Sequence, residues 1–256
     1  MYRYFTDISF DGTAYHGWQK QKNGLSIQQV LEEKFSSKLR HSIKLTGCGR
    51  TDAGVHARHY VAHFDYPKKI DIPLLVNNMN RFLPPDISIN KIYPVIEKAH
   101  ARFSAVERTY AYYLVRSKNP FYRNYNLEIS VPLDVETMKK ACTLLIQTSD
   151  FTSFSKLHGG QKDNRCTLTE CTWQNNDEQL IFTISANRFT RNMVRAIVGT
   201  MLELGKQKLG LDEFQRIIHE KNRCLAGESV DAKGLFLEKV IYPKEITSDI
   251  SYKQSD

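Results

Sequence analysis

The 256-residue sequence predicts an α+β fold in two halves, each an antiparallel sheet flanked by helices. Three observations lead there. Short runs rich in aromatic and β-branched residues alternate with amphipathic runs of helical period. The first hundred residues read as strand, helix, two strands, helix, strand. The elements that follow repeat that order with one extra helix.

Taken in order, Tyr2–Phe10 reads as a strand that Asp11-Gly12-Thr13 ends. Ser26 and Gln29 have the spacing of a helix capping box, and Ile27, Val30, Leu31, Phe35 and Leu39 follow at helical spacing, so Ser26–Arg40 is a helix. A short strand, Ile43–Thr46, precedes the glycine-rich Gly47–Gly54. Tyr60–Tyr66 alternates as a strand, with Tyr60, Ala62 and Phe64 on one face and His63 on the other. Ile72–Leu83 is a helix stopped by Pro84-Pro85, and Ile87–Tyr93 is a strand. This order is that of a split βαβ, ferredoxin-like unit. The second half runs Thr109–Arg116 (strand), Asp134–Ile146 (helix), Cys166–Trp173 and Leu180–Ala186 (a hairpin across Asn175-Asn176-Asp177-Glu178), Thr190–Leu204 and Leu211–Glu220 (helices) and Leu235–Ile241 (strand). The chain therefore divides into 1–102, 103–246 and a polar tail, 247–256; Lys156–Arg165 and the stretch from Glu245 read as mobile.

Composition narrows the function classes. No run of eighteen apolar residues is present to span a membrane, and Asp7 arrives too early for a secretory apolar region, so a cytoplasmic protein is expected. The 36 Lys and Arg against 28 Asp and Glu leave a formal charge of +8, which favours either solubility alone or a polyanionic partner. Five cysteines, an odd number without a C-x-x-C pair, argue against a disulfide framework and a zinc knuckle. His59 and His63 stand four apart in a strand without a third ligand of suitable spacing, so no metal is expected.

The segment Gly47-Cys48-Gly49-Arg50-Thr51-Asp52-Ala53-Gly54-Val55-His56-Ala57 concentrates the chemistry. Its glycines allow tight turns and close approach of backbone to a ligand, with a cation and a carboxylate two residues apart between them. It lacks the Lys-Ser/Thr ending of a P-loop and the glycine spacing of a dinucleotide fingerprint. On residue chemistry alone it is either a braced turn or a functional loop.

The string Gly49 to Ala57 resembles the signature of the TruA family of tRNA pseudouridine synthases. Other stretches resemble that family in the same order: Asp11-Gly12-Thr13 to Gly17-Trp18-Gln19, Ala101-Arg102-Phe103-Ser104-Ala105 with Arg108-Thr109-Tyr110, Asp150 to Phe154, Asn192-Met193-Val194-Arg195 with Ile197-Val198-Gly199, and Gly234-Leu235-Phe236-Leu237. The resemblance implies two ferredoxin-like halves, a basic central cleft, a homodimer without bound cofactor, and tRNA rather than DNA as partner. The implied substrate sites are uridines 38, 39 and 40 of the anticodon stem-loop. It further implies that Asp52 is the catalytic carboxylate, acting on C6 of the base, on C1′ of the sugar, or by assisting elimination. Arg195, among apolar neighbours, is the implied cation that keeps Asp52 ionised. Tyr110, which by strand position alone would be core, becomes a residue of the pocket that stacks on the base. Arg50 is assigned to extrusion of the uridine, and otherwise contacts phosphate or braces the loop. Lys20, Lys22, Lys156, Lys162, Arg165, Arg188 and Arg191 are phosphate contacts or solvated charges; His56 and His63 line the RNA path or are structural. Two departures, Thr190 after Phe189 and the absence of proline in Ser229–Lys233, bear on local packing. The rival readings are a non-catalytic RNA-binding protein and a nucleotide-dependent enzyme.

Overall fold

The structure, a computed structural model, describes residues 1–157, 159–160, 163–176 and 178–248. Lys162, Asp177 and the end of the tail lie outside the described residues. The chain forms two compact units, Met1–Val106 with the chain from Leu237 onward, and Glu107–Phe236. The boundaries expected from sequence fall after residues 102 and 246; by contact, the chain from Leu237 groups with the first unit.

The first unit contains β1 (Tyr2–Phe10), α1 (Ile27–Leu39), β2 (Thr46–Gly47), β3 (His56–Tyr66), α2 (Ile72–Phe82) and β4 (Ile87–Val95). β1 is central, antiparallel to β3 through Tyr4↔Phe64 and to β4 through Phe5↔Tyr93. β2 pairs with β3 at Thr46↔His63. Alternation along β1 sends Tyr4 to one face, where it meets Phe64 and through it Phe35 of α1, with ring centroids 5.5 and 5.1 Å apart. Phe5 points the other way, onto His63, Tyr93 and Tyr242. Both faces are thus covered. Ile27, Leu31 and Phe35 of α1 are fully buried, each contributing about 1.5–3 kcal/mol of transfer free energy.

Ser26 caps α1 by accepting from the Gln29 amide (3.3 Å), while the Gln29 side chain turns away to donate to Glu33. The predicted strand Ile43–Thr46 shortens to Thr46–Gly47, and the reason is local. Ser36 takes the Ile43 amide (2.9 Å), Glu32 takes the Leu45 amide (3.0 Å), and Gln28 donates to the Leu45 carbonyl (2.9 Å). Side chains of α1 occupy the backbone groups that a strand ladder would use.

The second unit contains β5 (Glu107–Val115), β6 (Leu127–Glu128), α3 (Val135–Ile146), β7 (Leu168–Asn175), β8 (Gln179–Ala186), α4 (Met193–Gly205) and α5 (Leu211–Glu220). β8 is central, antiparallel to β5 through Tyr110↔Ile184 and to β7 through Trp173↔Phe182. The short β6 runs parallel to β5. α4 is buried on nearly every side, so its apolar run reads all round rather than in one stripe. It starts at Met193, three residues later than predicted, because Asn192 sits in the left-handed region at φ 67 and Thr190 is held by Ser155 instead. The chain closes with β9 (Leu235–Ile241), which lies beside β3, and α6 (Glu245–Ser248). Within the stretch expected to fray, Ile246 is buried and its carbonyl accepts from Ile96.

Candidate active site

Asp52 stands in the loop Cys48–Val55 of the first unit, and the backbone of that loop is held at every turn. The Cys48 amide donates to Val61 (2.8 Å), and the Tyr60 hydroxyl donates to the Gly49 carbonyl (2.5 Å). Thr51 Oγ1 accepts from the Trp18 amide (3.0 Å), and the Gly54 amide donates to Tyr15 (3.2 Å). Asp52 closes the loop itself, its carbonyl accepting from Val55 (3.2 Å), with Gly54 at φ 77 where glycine is favoured. Trp18 and Tyr60, both buried, stack with centroids 4.1 Å apart beneath the loop.

The other wall is the segment Gly12–Trp18, and it presses on the loop so closely that side chains do not fit. A Cβ on Gly12 would overlap the Val55 carbonyl; one on Gly17, at φ 78, would overlap the Thr51 carbonyl and stand 3.0 Å from the Asp52 carbonyl carbon. His56 is 1% exposed, with Nδ1 accepting from the Gly12 amide (3.1 Å) and 3.1 Å from Asp11 Oδ1. In the protein alone it braces this wall. Tyr15 donates to Asp86 (2.7 Å), and burial together with that bond pushes its hydroxyl pKa well up. Asp52 itself is half-buried, and Arg50 is exposed.

In the second unit, Tyr110 is half-buried on β5 and meets Phe189 edge-on at 5.1 Å. Its neighbour along the same face, Tyr112, is core: fully buried, donating to the Asp231 carbonyl (2.7 Å), with Gly234 against its ring. Arg195 lies in the first turn of α4, where its Nε donates to the Val230 carbonyl (2.7 Å) while its own carbonyl accepts from Val230 (3.2 Å). A Cβ on Gly199 would overlap the Glu228 carbonyl, so α4 and the segment 228–230 touch backbone to backbone. The two sequence departures fall here. Thr190 Oγ1 bonds Ser155 Oγ (2.7 Å), and Ser229 accepts from Asn192 (2.6 Å). Both departures are thus tied in by side-chain hydrogen bonds.

Arg188 is half-buried, while Lys20, Lys22, Lys156, Arg165 and Arg191 are exposed. Arg165 bonds Asp163 (3.1 Å), which with its backbone amide lowers that carboxyl's pKa.

The motif at Ala101–Ala105 is anchored in the first unit by residues that sequence reasoning assigned elsewhere or missed. His63 Nδ1 accepts from the Ala101 amide (3.1 Å), and its ring meets His100 at 4.7 Å. His100 Nδ1 in turn accepts from Arg102 (3.1 Å) and Phe103 (3.3 Å). Arg3 forks onto Asp65 with two 2.8 Å bonds and reaches the Ala99 carbonyl. Burial, with Arg3 and His100 nearby, pushes the His63 pKa down to about 4. His59 turns its Nδ1 to the Val240 amide instead (3.1 Å). Among the described residues no group of three His, Cys, Asp or Glu side chains is placed to hold a metal ion. Trp18 and Tyr60 read from sequence as a motif member and a residue on one face of a strand. Their part under the loop appears only once β3 is folded beside it.

Comparison with known proteins bears on both units. A sequence model described as tRNA pseudouridine synthase matches residues 8–104 and 141–243. The first stretch contains the Asp52 loop and the second Arg195; Tyr110 falls between them. The chain is 50% identical over 246 residues to a protein of Bacteroides fragilis, covering 95% of this chain and 98% of that one. It is 46% identical over 256 residues to one of Bacteroides thetaiotaomicron, covering 99% and 95%. A protein of Parabacteroides distasonis is 47% identical over 249 residues, covering 96% and 98%. All three are named tRNA pseudouridine synthase A. With the Asp52 loop and the Arg195 helix both inside the matched stretches, the chain belongs to the tRNA pseudouridine synthase family.

Proposed function

We propose that this chain isomerises uridine to pseudouridine at positions 38, 39 and 40 of the tRNA anticodon stem-loop, with Asp52 as its catalytic carboxylate and without a cofactor. The observation that carries this reading is the loop Cys48–Val55. Hydrogen bonds and glycine-tight contacts fix its backbone around one carboxylate-bearing residue, as preorganised catalysis requires.

The reaction breaks the N1–C1′ bond, turns the base and forms a C5–C1′ bond, after which the C5 proton leaves and N1 gains one. Asp52 assists as a nucleophile toward C6 or C1′, or by supporting positive charge on the sugar during elimination. Tyr110 stacks on the base with a ring face, and Phe189, perpendicular to it at 5.1 Å, supports the ring. Arg195 favours the ionised form of Asp52 during the reaction, its guanidinium held by Val230. Arg50, exposed on the catalytic loop, fills the gap that the extruded uridine leaves. Arg188 contacts phosphate, and His56 positions the loop.

The first unit's strand order, β4-β1-β3 with β2 on β3, supports a ferredoxin-like half. A second such half, a basic cleft, a homodimer and a cytoplasmic site of action complete the proposal.

The test is Asp52→Asn on an unmodified tRNA transcript. Pseudouridine formation, read by mass spectrometry, falls below detection while filter-binding affinity stays within a few-fold of wild type. Equal loss of both would make the chain an RNA-binding protein whose carboxylate is structural.

A further inference from the structure

Residues 116–126, directly after β5, form a strap that the reading above leaves unused; they lie outside both matched stretches of the family. Arg116, Lys118 and Arg123 are all exposed, and the strap contains no acidic residue. Phe121, at 88%, is the most exposed large apolar side chain among the described residues, and Tyr125 is 38% exposed.

This exposure is built. Asn119 Oδ1 accepts from the Phe121 amide (3.0 Å), and its carbonyl accepts from Tyr122 (3.1 Å). Arg123 donates to the Pro120 carbonyl (3.1 Å), and the Tyr122 hydroxyl donates to Glu178 (2.6 Å). The buried Asn126 closes the strap through the Tyr122 carbonyl (2.9 Å). The backbone is fixed on both sides of Phe121, yet its ring contributes almost nothing to folding. Other residues of the strap line a polar cavity of about 480 Å³, among them Arg116, Asn119 and Tyr122, with Asn176 and Glu178.

We propose that this strap is a second RNA-binding surface, on which a base of the tRNA substrate stacks against Phe121 while Arg116, Lys118 and Arg123 contact the flanking phosphates. An aromatic ring presented among cations is the chemistry of unpaired RNA: the ring accepts any base face and the cations release counterions from the backbone. A second copy of the strap fits poorly, since a two-fold contact would set its cations against themselves. Tyr110 and Val115 are five residues apart on β5, roughly 17 Å, so the strap meets RNA away from the nucleotide at Tyr110. This inference rests on tRNA being the substrate.

The test is filter binding of a full-length unmodified tRNA transcript across a salt series, with pseudouridine formation by the wild type followed in parallel. Phe121→Ala weakens binding about tenfold, and Phe121→Trp restores it, because an indole stacks as well. The triple variant Arg116→Ala, Lys118→Ala, Arg123→Ala lowers the slope of log affinity against log salt by about 2. Wild-type affinity and slope in both alanine variants, beside an active wild type, would overturn the strap alone. A change of sedimenting mass in Phe121→Ala without a change in tRNA affinity would also overturn it, and would make the strap an interface between copies. An inactive wild type would instead remove the tRNA reading beneath it.

Discussion

Replacing Gly17 by Ala tests whether the position of the Asp52 loop limits the reaction. The new methyl group would overlap the Thr51 carbonyl and lie 3.0 Å from the Asp52 carbonyl carbon; both are backbone atoms, so no side chain can swing aside. Restoring ordinary contact moves the loop by about 1 Å, a displacement that can cost on the order of a hundredfold in rate. The residue also sits at φ 78, where a Cβ adds about 1–2 kcal/mol of strain, lowering the thermal midpoint by roughly 2–8 °C. Single-turnover tritium release from a transcript carrying 5-tritiated uridine reports the reaction, because C5 loses its hydrogen only after the new C5–C1′ bond has formed. Gly210→Ala is the control, with open space around its Cβ and no positive φ. A folded Gly17→Ala protein that keeps the wild-type single-turnover rate would refute the claim that loop position governs catalysis.

Tyr60→Phe leaves the buried ring stacked on Trp18 but removes the donor to Gly49; we expect about 1–2 kcal/mol loss of stability in urea melts and a lower kcat with KM little changed. His63 adds a pH dependence. Its pKa is about 4 in the fold against an ordinary 6.5, so the folded state binds fewer protons between those values, and stability falls as pH drops through that window. The effect is on the order of 3 kcal/mol at most, and His63→Gln, which cannot titrate, should flatten that part of a denaturation-against-pH curve. Asp65, its pKa lowered chiefly by its bond to Arg3, acts in a separate window below pH 3.8. Arg195→Met removes the cation proposed to support the reaction, and the single-turnover rate should fall by about tenfold or more; a wild-type rate would remove Arg195 from the proposed machinery.

Period and propensity carried most of the element assignments: in α1, Ile27, Val30, Leu31 and Phe35 of the helical pattern are buried, while in α2 Leu75 and Met79 are buried but Leu74 and Phe82 stay exposed. They failed where a side chain substitutes for a ladder. Ile43 and Leu45 have strand character, but Ser36, Glu32 and Gln28 reach their backbone groups first, and that meeting is seven to seventeen residues long-range. They failed again at Thr190, because the left-handed Asn192 stops the helical backbone before it reaches that residue. The three tyrosines of β5 show the limit for the site. Alternation groups Tyr110 with Tyr112, yet only packing by distant residues, Phe189 against one and Asp231 against the other, separates a half-buried ring from a core one. His56 was legible as a member of the loop motif, and its burial was not, since the amide it serves lies 44 residues earlier.

The placement of β9 sets a condition on synthesis. The first unit has β1 to β4, α1, α2 and the Asp52 loop by Val106, but its part of the strand beside β3 begins only at Leu237, about 130 residues later. At roughly 5–20 residues per second, the nascent first unit waits on the order of ten seconds with part of the β3 edge open. A ribosome stalled before Leu237 therefore displays the Asp52 loop on a sheet that can still pair with a stranger, and a chaperone or a fast-folding second unit has that interval to guard.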